Sequence, residues 1–331
     1  MTQFTTRGLL LLGLALAARA AAAADDAPAA PARQERADAW WTGPLLAPNA
    51  STFPAGHALV ETYVFDVNGN GQYDGSGRHE PAAGGHELGS LTYLIYGLTD
   101  RVSLGLLPRF FYDEPAGGPN SSSPGVGDLG AQVQLGLTSF HEGSWVPATA
   151  VVLGETLPTG RYDRLANPAD GFGAGAWSTS LSWYSQDYLW LPNGRILRVR
   201  LDLTYAISSS ANVADRSVYG TGAGFRGHAR PGDSFTADAA AEYSLTRNWV
   251  LATDFVWVHD SSTRLTGSQP AAGGSAAVDT QSGSSEYLAV APAVEYNFSA
   301  RVGVIVGARI FVAGRNTGSS VTTAAAINMV F

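Results

Sequence analysis

Two stretches set the pattern of the chain. In "FTADAAAEYSL", Phe235, Ala237, Ala239, Ala241, Tyr243 and Leu245 share one parity, and Thr236, Asp238, Ala240, Glu242 and Ser244 share the other. In "ILRVRLDLTYA", Leu197, Val199, Leu201, Leu203 and Tyr205 oppose Arg198, Arg200, Asp202 and Thr204. Successive side chains of a β-strand point to opposite faces, so this alternation predicts strands with one apolar and one polar side. Leucine, glutamate and lysine at helical spacing are missing. From His57 onward the pattern predicts strands at 57–66, 87–98, 101–111, 125–139, 145–156, 175–188, 195–207, 233–245, 248–259, 285–298, 301–313 and 319–331.

The connections sort by length. Those after even-numbered strands are tight: "TD", "HEGS", "LPNG", "TR" and "SA". Those after odd-numbered strands are mostly long and rich in Gly, Ser, Asn and Asp, as in "SSSANVADRSVYGTGAGFRGHARPG". A soluble β-sandwich needs no such sorting. Short turns at one rim, long loops at the other and an even strand count predict an all-β fold: a transmembrane antiparallel up-and-down β-barrel of about 12 strands, with short periplasmic turns and long extracellular loops. In lipid the sheet must close, because an open edge would strand backbone polar groups in hydrocarbon.

Three hairpins repeat one design. "YGLTDRV", "YSLTRNWV" and "YNFSARV" place Tyr96, Tyr243 and Tyr296 just before a polar turn and a new apolar strand. These rings, with Trp249, Phe298 and Phe331, are expected at one height as a membrane-interface girdle. The last strand alternates too, with Asn328 and Val330 inward and Phe331 toward lipid, and is expected to pair with the strand near His57. A terminal aromatic behind alternating apolar residues resembles the signal read by the machinery that inserts such barrels.

Composition narrows the picture further. The chain has 45% apolar and 15% charged residues and 39 glycines, with no apolar run of the ~18–20 residues that a membrane helix requires. It has no cysteine, hence no disulfides. A formal charge of −8 with no basic patch argues against nucleic acid as a partner. Residues 1–24 hold Arg7, an apolar core from Leu9 to Ala18 and a run of alanines. They read as a secretory signal peptide, since the core is too short for an anchor and Arg19 interrupts it. The barrel proper is expected at 57–331, in the outer membrane of a Gram-negative bacterium. Residues 25–56 form a periplasmic segment that becomes aromatic at Trp40 and Trp41. Its "WWTGPLL" is costly to leave in water, so it is read either as a plug in the lumen or as a cover on the periplasmic rim.

Three motifs, "VGDLGAQVQLGL" (126–137), "ETLPTGRYDRL" (155–165) and "DGFGAGAWSTSLSWYSQ" (170–186), resemble a family of outer-membrane barrels grouped as meta-pathway phenol-degradation proteins and often called simply transporters. The resemblance covers most of the mature chain. It implies a monomeric barrel near clusters for aromatic catabolism that admits hydrophobic compounds. The motifs carry no known catalytic or binding residues, so none is transferred.

Inward candidates carry both signs: Arg109, Asp128, Glu155, Arg198, Arg200, Asp202, Asp238, Glu242, Asp254, Glu295 and Arg309. They are read as a charged constriction that selects solutes, or as a paired network with Arg198 or Arg200 bonded to Glu242 across strands 7 and 8. Small inward positions at Ala289, Ala291, Ala293, Gly303 and Gly307 place an expected passage beside strands 10 and 11. Two sharper motifs stand apart. "DVNGNGQYD" puts Asp66, Asn68, Asn70 and Asp74 at alternating positions of a calcium loop, although Gly77 occupies the place of the closing glutamate. "WVHDS" puts His259 two residues before Ser261, with Glu286 opening the next strand, a constellation for a hydrolase of outer-leaflet lipid resembling lipid A deacylases and, less closely, outer-membrane phospholipases.

The reading is therefore a channel for passive uptake of small hydrophobic or aromatic compounds, without a cofactor. Outer-membrane lipid and lipopolysaccharide surround it, and the barrel-assembly machinery inserts it. The alternatives are the barrel hydrolase and a structural barrel that passes nothing.

Overall fold

Twelve antiparallel strands close on themselves and leave no edge exposed to lipid. The computed structural model describes residues 32–331; the signal peptide read at 1–24 and the start of the following segment lie outside the described residues. The barrel strands are β1 (Ala58–Tyr73), β2 (His86–Thr99), β3 (Val102–Leu107, resuming after Pro108 as Arg109–Glu114), β4 (Leu129–Thr138), β5 (Ala148–Leu157) and β6 (Ser178–Trp190). They continue as β7 (Ile196–Ser208), β8 (Ser234–Ser244), β9 (Trp249–Asp260), β10 (Ser285–Asn297), β11 (Val302–Arg315) and β12 (Thr317–Val330).

Closure is made by β1, which pairs with β2 on one side and β12 on the other, so that Leu59 lies opposite both Ile95 and Val330. The Phe331 N–H donates to the Ala58 carbonyl at 2.8 Å, and the Ala58 N–H to the Phe331 carbonyl at 3.2 Å. Pro108 has no N–H to give and interrupts β3, but its carbonyl still accepts from the Thr92 N–H at 3.1 Å.

Parity sorts the two faces. On β9, Val250, Ala252, Asp254 and Val256 are buried inside, while Leu251, Phe255 and Trp257 lie exposed outside. On β7, Arg198, Arg200 and Asp202 are inside, and Leu201 and Tyr205 are outside. So large an exposed apolar surface would be untenable in water and is the lipid face of a membrane barrel. No described helix is long and apolar enough to cross a membrane, so the crossing is made by strands.

Aromatic rings collect on the outer face beside the tight turns. Trp249 and Tyr296 are cross-strand partners with ring centroids 4.7 Å apart, and Phe298 packs on Tyr296 at 4.9 Å. Tyr96 lies opposite Ala58, next to Phe331, and the Tyr243 hydroxyl accepts from Asn193 Nδ2 at 2.8 Å.

The far rim differs in two places from the reading of the sequence. Only Asn316, at φ 48°, separates β11 from β12, so that outer connection is tight. Strand β1 runs to Tyr73, which places Asp66 and Asn68 opposite Thr323 and Val321 of β12. This overturns the calcium loop of Asp66, Asn68, Asn70 and Asp74: along an extended strand Asp66 and Asn70 stand about 13 Å apart, too far for all four to wrap one ion. Asp74 instead caps a turn, accepting from the Ser76 N–H and Oγ at 2.8 and 2.6 Å and from the Arg78 N–H at 2.9 Å. Among the described residues no three His, Cys, Asp or Glu side chains converge as for a metal ion.

Above this rim the long loops build a canopy. Segments Ala211–Ala214, Arg226–Arg230, Arg264–Ala271 and Gly274–Gln281 pair into a separate four-stranded sheet. Its small core holds Val213, Phe225 and Ala229.

Candidate functional site: the lumen and its threaded segment

The N-terminal segment enters the barrel from the side of the tight turns. The Gln34 N–H donates to the Gly194 carbonyl at 2.9 Å and the Trp40 N–H to the Arg247 carbonyl at 3.0 Å, both in turns of that rim. Two inward carboxylates then take up the backbone. Glu295 Oε2 accepts from the Thr42 and Gly43 N–H groups at 2.6 and 3.2 Å. Asp254 accepts from Leu45, Leu46 and Ala47 at 3.0, 3.4 and 3.0 Å. Gly43, at φ 134°, makes the turn between them in a conformation that side-chained residues rarely adopt. Beyond it, Arg200 Nη1 donates to the Ala47 carbonyl at 2.7 Å and Gln134 Nε2 to the Asn49 carbonyl at 3.0 Å. The segment leaves at the same rim, where the Ala55 N–H meets Asp100 Oδ1 at 3.1 Å.

Packing follows the same path. Leu45 sits in a nest of Ala252, Ala291, Ala293, Ile305 and Ala326. Gly303 lets Thr42 approach, since a Cβ there would lie 2.1 Å from the Thr42 hydroxyl. Trp41 stacks edge-on to Tyr188, with the Arg198 guanidinium 4.6 Å from its ring centre, while Trp40 lies at the rim beside Arg247.

One wall is ionic. Arg198 and Glu242 face each other across the β7–β8 hairpin and form a two-pronged ion pair, with the Nε bond at 2.6 Å. Arg200 Nε lies 3.2 Å from the same carboxylate without hydrogen-bond alignment. Exposures of 4% for Arg198, 6% for Arg200 and 0% for Glu242 keep the group out of water. Asp202 and Asp238 also face each other across this hairpin; both Asp202 carboxylate oxygens and Asp238 Oδ1 are buried without partners.

The remaining space is a series of cavities that share lining residues, lying mostly beside β1, β2 and β3. Under the canopy, about 440 Å³ is lined by Phe172, Tyr219, Glu87 and Phe111. Glu87 and Phe111 also border a middle chamber of about 370 Å³ with Phe65, Leu91, Arg109 and Arg309. Leu45, Leu46, Tyr63 and Tyr93 divide that chamber from an inner one of about 220 Å³, which Gln134 and Asn328 also line. Ser51 joins the inner chamber to a pocket at the tight-turn rim. Two leucines of the threaded segment thus stand against two tyrosines of β1 and β2 between the two chambers.

Residues 52–327 match the family described as "Putative MetA-pathway of phenol degradation". The chain belongs to that family. Among solved structures, this phenol-degradation family member resembles an outer membrane channel from Pseudomonas putida F1, with a TM-score of 0.65 and 18% identity over 86% of this chain and 100% of the channel. Weaker likenesses are the TodX monoaromatic hydrocarbon channel, in a deletion mutant, with a TM-score of 0.42 and 12% identity over 89% of this chain and 94% of that one. The Ralstonia pickettii toluene transporter TbuX gives a TM-score of 0.36 and 9% identity over 89% and 95% of the two chains. No curated protein matches the chain. The shared fold and the lipid face place this family member in the Gram-negative outer membrane.

Within this phenol-degradation barrel the inward candidates separate by task. Glu242, Arg198 and Arg200 form the ion group, and Asp254 and Glu295 hold the threaded segment. Asp128 points inward but serves the canopy, accepting from the Gly160 and Ala174 N–H groups at 2.9 and 2.7 Å. Arg109 and Arg309 line the middle chamber. Glu155 is a correction: Ala148, Ala150 and Val152 take the inner face of β5, so Glu155 lies outside with exposed Leu153 and accepts from Thr179 Oγ1 at 2.7 Å. The passage expected beside β10 and β11 is a second correction, because Leu45 and Thr42 fill the room left by the small residues there.

The hydrolase constellation does not assemble. His259 and Glu286 are cross-strand partners on the outer face, 3.9 Å apart. Ser261 has left the strand, its N–H bound to the Asp233 carbonyl, and no hydrogen bond joins it to His259. Without that bond the imidazole is not placed to take the serine proton.

Residues that the sequence did not single out complete the site beside the Leu45 and Leu46 of its "WWTGPLL" segment: Tyr63, Tyr93, Phe65, Phe111 and Gln134. The inward rings break the small-or-polar pattern expected of a lumen, which is the signal that marks them.

Proposed function

We propose that the protein is a passive outer-membrane channel for small hydrophobic or aromatic compounds, with residues 40–53 acting as its internal plug. The observation that supports this reading is the series of neighbouring cavities from canopy to tight-turn rim, with Leu45 and Leu46 against Tyr63 and Tyr93 between the middle and inner chambers. Pores of 16 or more strands keep a water channel and barrels of about eight are filled by side chains. A barrel of twelve is wide enough to need filling, and here the chain's own segment does so. Apolar and ring-lined walls favour solutes that shed water easily.

Family membership and a fold shared with an outer membrane channel support the same reading. The solutes named for TodX and TbuX are aromatic hydrocarbons, and an aromatic solute suits this lining. Single-channel recording of the purified protein in planar bilayers tests the proposal. Unit currents that phenol reduces, and an equal concentration of glucose does not, are the expected result. Membranes that stay silent with correctly folded protein would leave a barrel that passes nothing.

A further inference from the structure

We propose that the middle chamber selects arenes that carry a carboxylate over neutral arenes. This rests on the channel reading above and names its solute class. The chamber's volume of about 370 Å³ falls within the ~300–1,000 Å³ typical of small-molecule sites. Two kinds of wall meet in it. Phe65 and Phe111 stand edge to face at 6.2 Å, beside Tyr93 and Leu91, and offer apolar contact to a ring. Arg109 and Arg309 supply two guanidinium groups to the same space.

These arginines differ from those of the ionic wall. Among the described residues neither makes an ion pair, whereas Arg198 and Arg200 both meet Glu242. Arg309 makes one neutral contact, Nη2 to Thr322 Oγ1 at 3.3 Å, and its guanidinium lies 5.3 Å from the Phe311 ring centre. The Nε–H of each arginine is buried without an acceptor. Glu87 also lines the chamber, with Asp113 opposite it on β3, and neither carboxylate forms an ion pair with the arginines. A half-buried guanidinium without an ion-pair partner favours an anion, and its planar fork suits a carboxylate. Aromatic walls add the preference for a ring, which an inorganic anion cannot use.

Calorimetry at pH 8 on the detergent-solubilised full chain, with sodium benzoate and benzyl alcohol as probes, tests this. Benzoate is expected to bind more tightly. In Arg109→Gln/Arg309→Gln, the benzoate-to-benzyl-alcohol affinity ratio should fall about tenfold, the effect of one lost charge contact. Glu87→Gln, which removes a competing negative charge, should raise the ratio several-fold. Migration on gels before and after boiling reports whether each variant folds. Equal binding of the two probes by the unaltered protein, or a ratio unmoved by both variants, overturns the proposal. Currents blocked by phenol together with no benzoate preference would overturn the selectivity alone; silent membranes would remove the channel reading as well.

Discussion

Asp254 and Leu45 meet inside the barrel, where the carboxylate of one accepts the backbone N–H of the other at 3.0 Å. The leucine side chain at the same point fills the alanine nest on β9, β10 and β12. Polar and apolar attachment of the segment therefore coincide within a residue.

Loosening that attachment should open the barrel without unfolding it. In Asp254→Asn/Glu295→Gln the N–H groups of Thr42, Gly43, Leu45, Leu46 and Ala47 lose their charged acceptors, each such bond being worth about 1.5–3 kcal/mol. Single-channel conductance is expected to rise several-fold, with gel mobility still that of a folded barrel. Unchanged conductance would show that the segment does not limit flow.

Leu46→Ala addresses the gap between the two chambers more gently. It trims one side of the gap facing Tyr63 and Tyr93 and leaves Leu45 itself in its nest, against which Leu46 packs only partly buried. Conductance should rise by less than in the double carboxylate variant. A larger rise would place the limiting point at the leucine itself.

Removing Glu242 should be the most damaging single change to the barrel. Glu242→Ala would leave Arg198 and Arg200 buried without their ion-pair partner, which typically costs about 3–5 kcal/mol. Urea unfolding in lipid vesicles measures this. A shift close to that of a surface substitution would mean that water reaches the pair.

The lipid face can be tested by charge. Val306, 60% exposed on β11, has inward Ile305 and Gly307 as neighbours. Val306→Arg should cost up to about 2–4 kcal/mol in vesicles if that position lies near the bilayer midplane. An arginine tolerated there at no cost would count against the assigned sidedness.

At the outer rim, hydrogen bonds from the Ser76 hydroxyl and the Arg78 N–H hold the Asp74 carboxyl down to about 2. A carboxyl whose folded value lies below the ordinary one stabilises its turn above pH ~4 and loses that contribution as pH falls toward the folded value. Amide exchange at Ser76 and Arg78 should therefore stay slow from neutral pH to about 4 and speed up as Asp74 is protonated. Exchange that does not respond in that window would show that the cap is not formed.

The strand ladder was legible because a membrane barrel repeats one local rule: apolar side chains out to lipid, polar or small ones in, at every second residue. The predicted strands 195–207 and 285–298 lie close to Ile196–Ser208 and Ser285–Asn297. The rule weakens where strands project past the membrane. That is why the pattern predicts a shorter β1, its "NGNG" matching the composition of a loop, and why the same residues match a calcium motif. Glu155 shows a different weakness, since near a rim a charge on the outer face can lie outside the hydrocarbon. A shift of one residue in parity moves it from lumen to surface.

Alternation along the chain was enough by itself to determine a closed β-barrel, its sidedness, its aromatic rim and its address in the outer membrane, because each follows from neighbours one or two residues apart and from the two solvents they meet. Only the tertiary structure decided what occupies the bore. Leu45 finds its nest, and Asp254 its donors, across separations of about two hundred positions. Arg109 and Arg309 share a chamber from opposite ends of the barrel sequence. Such meetings depend on how the cylinder closes and where the threaded segment turns, and no local period carries that information.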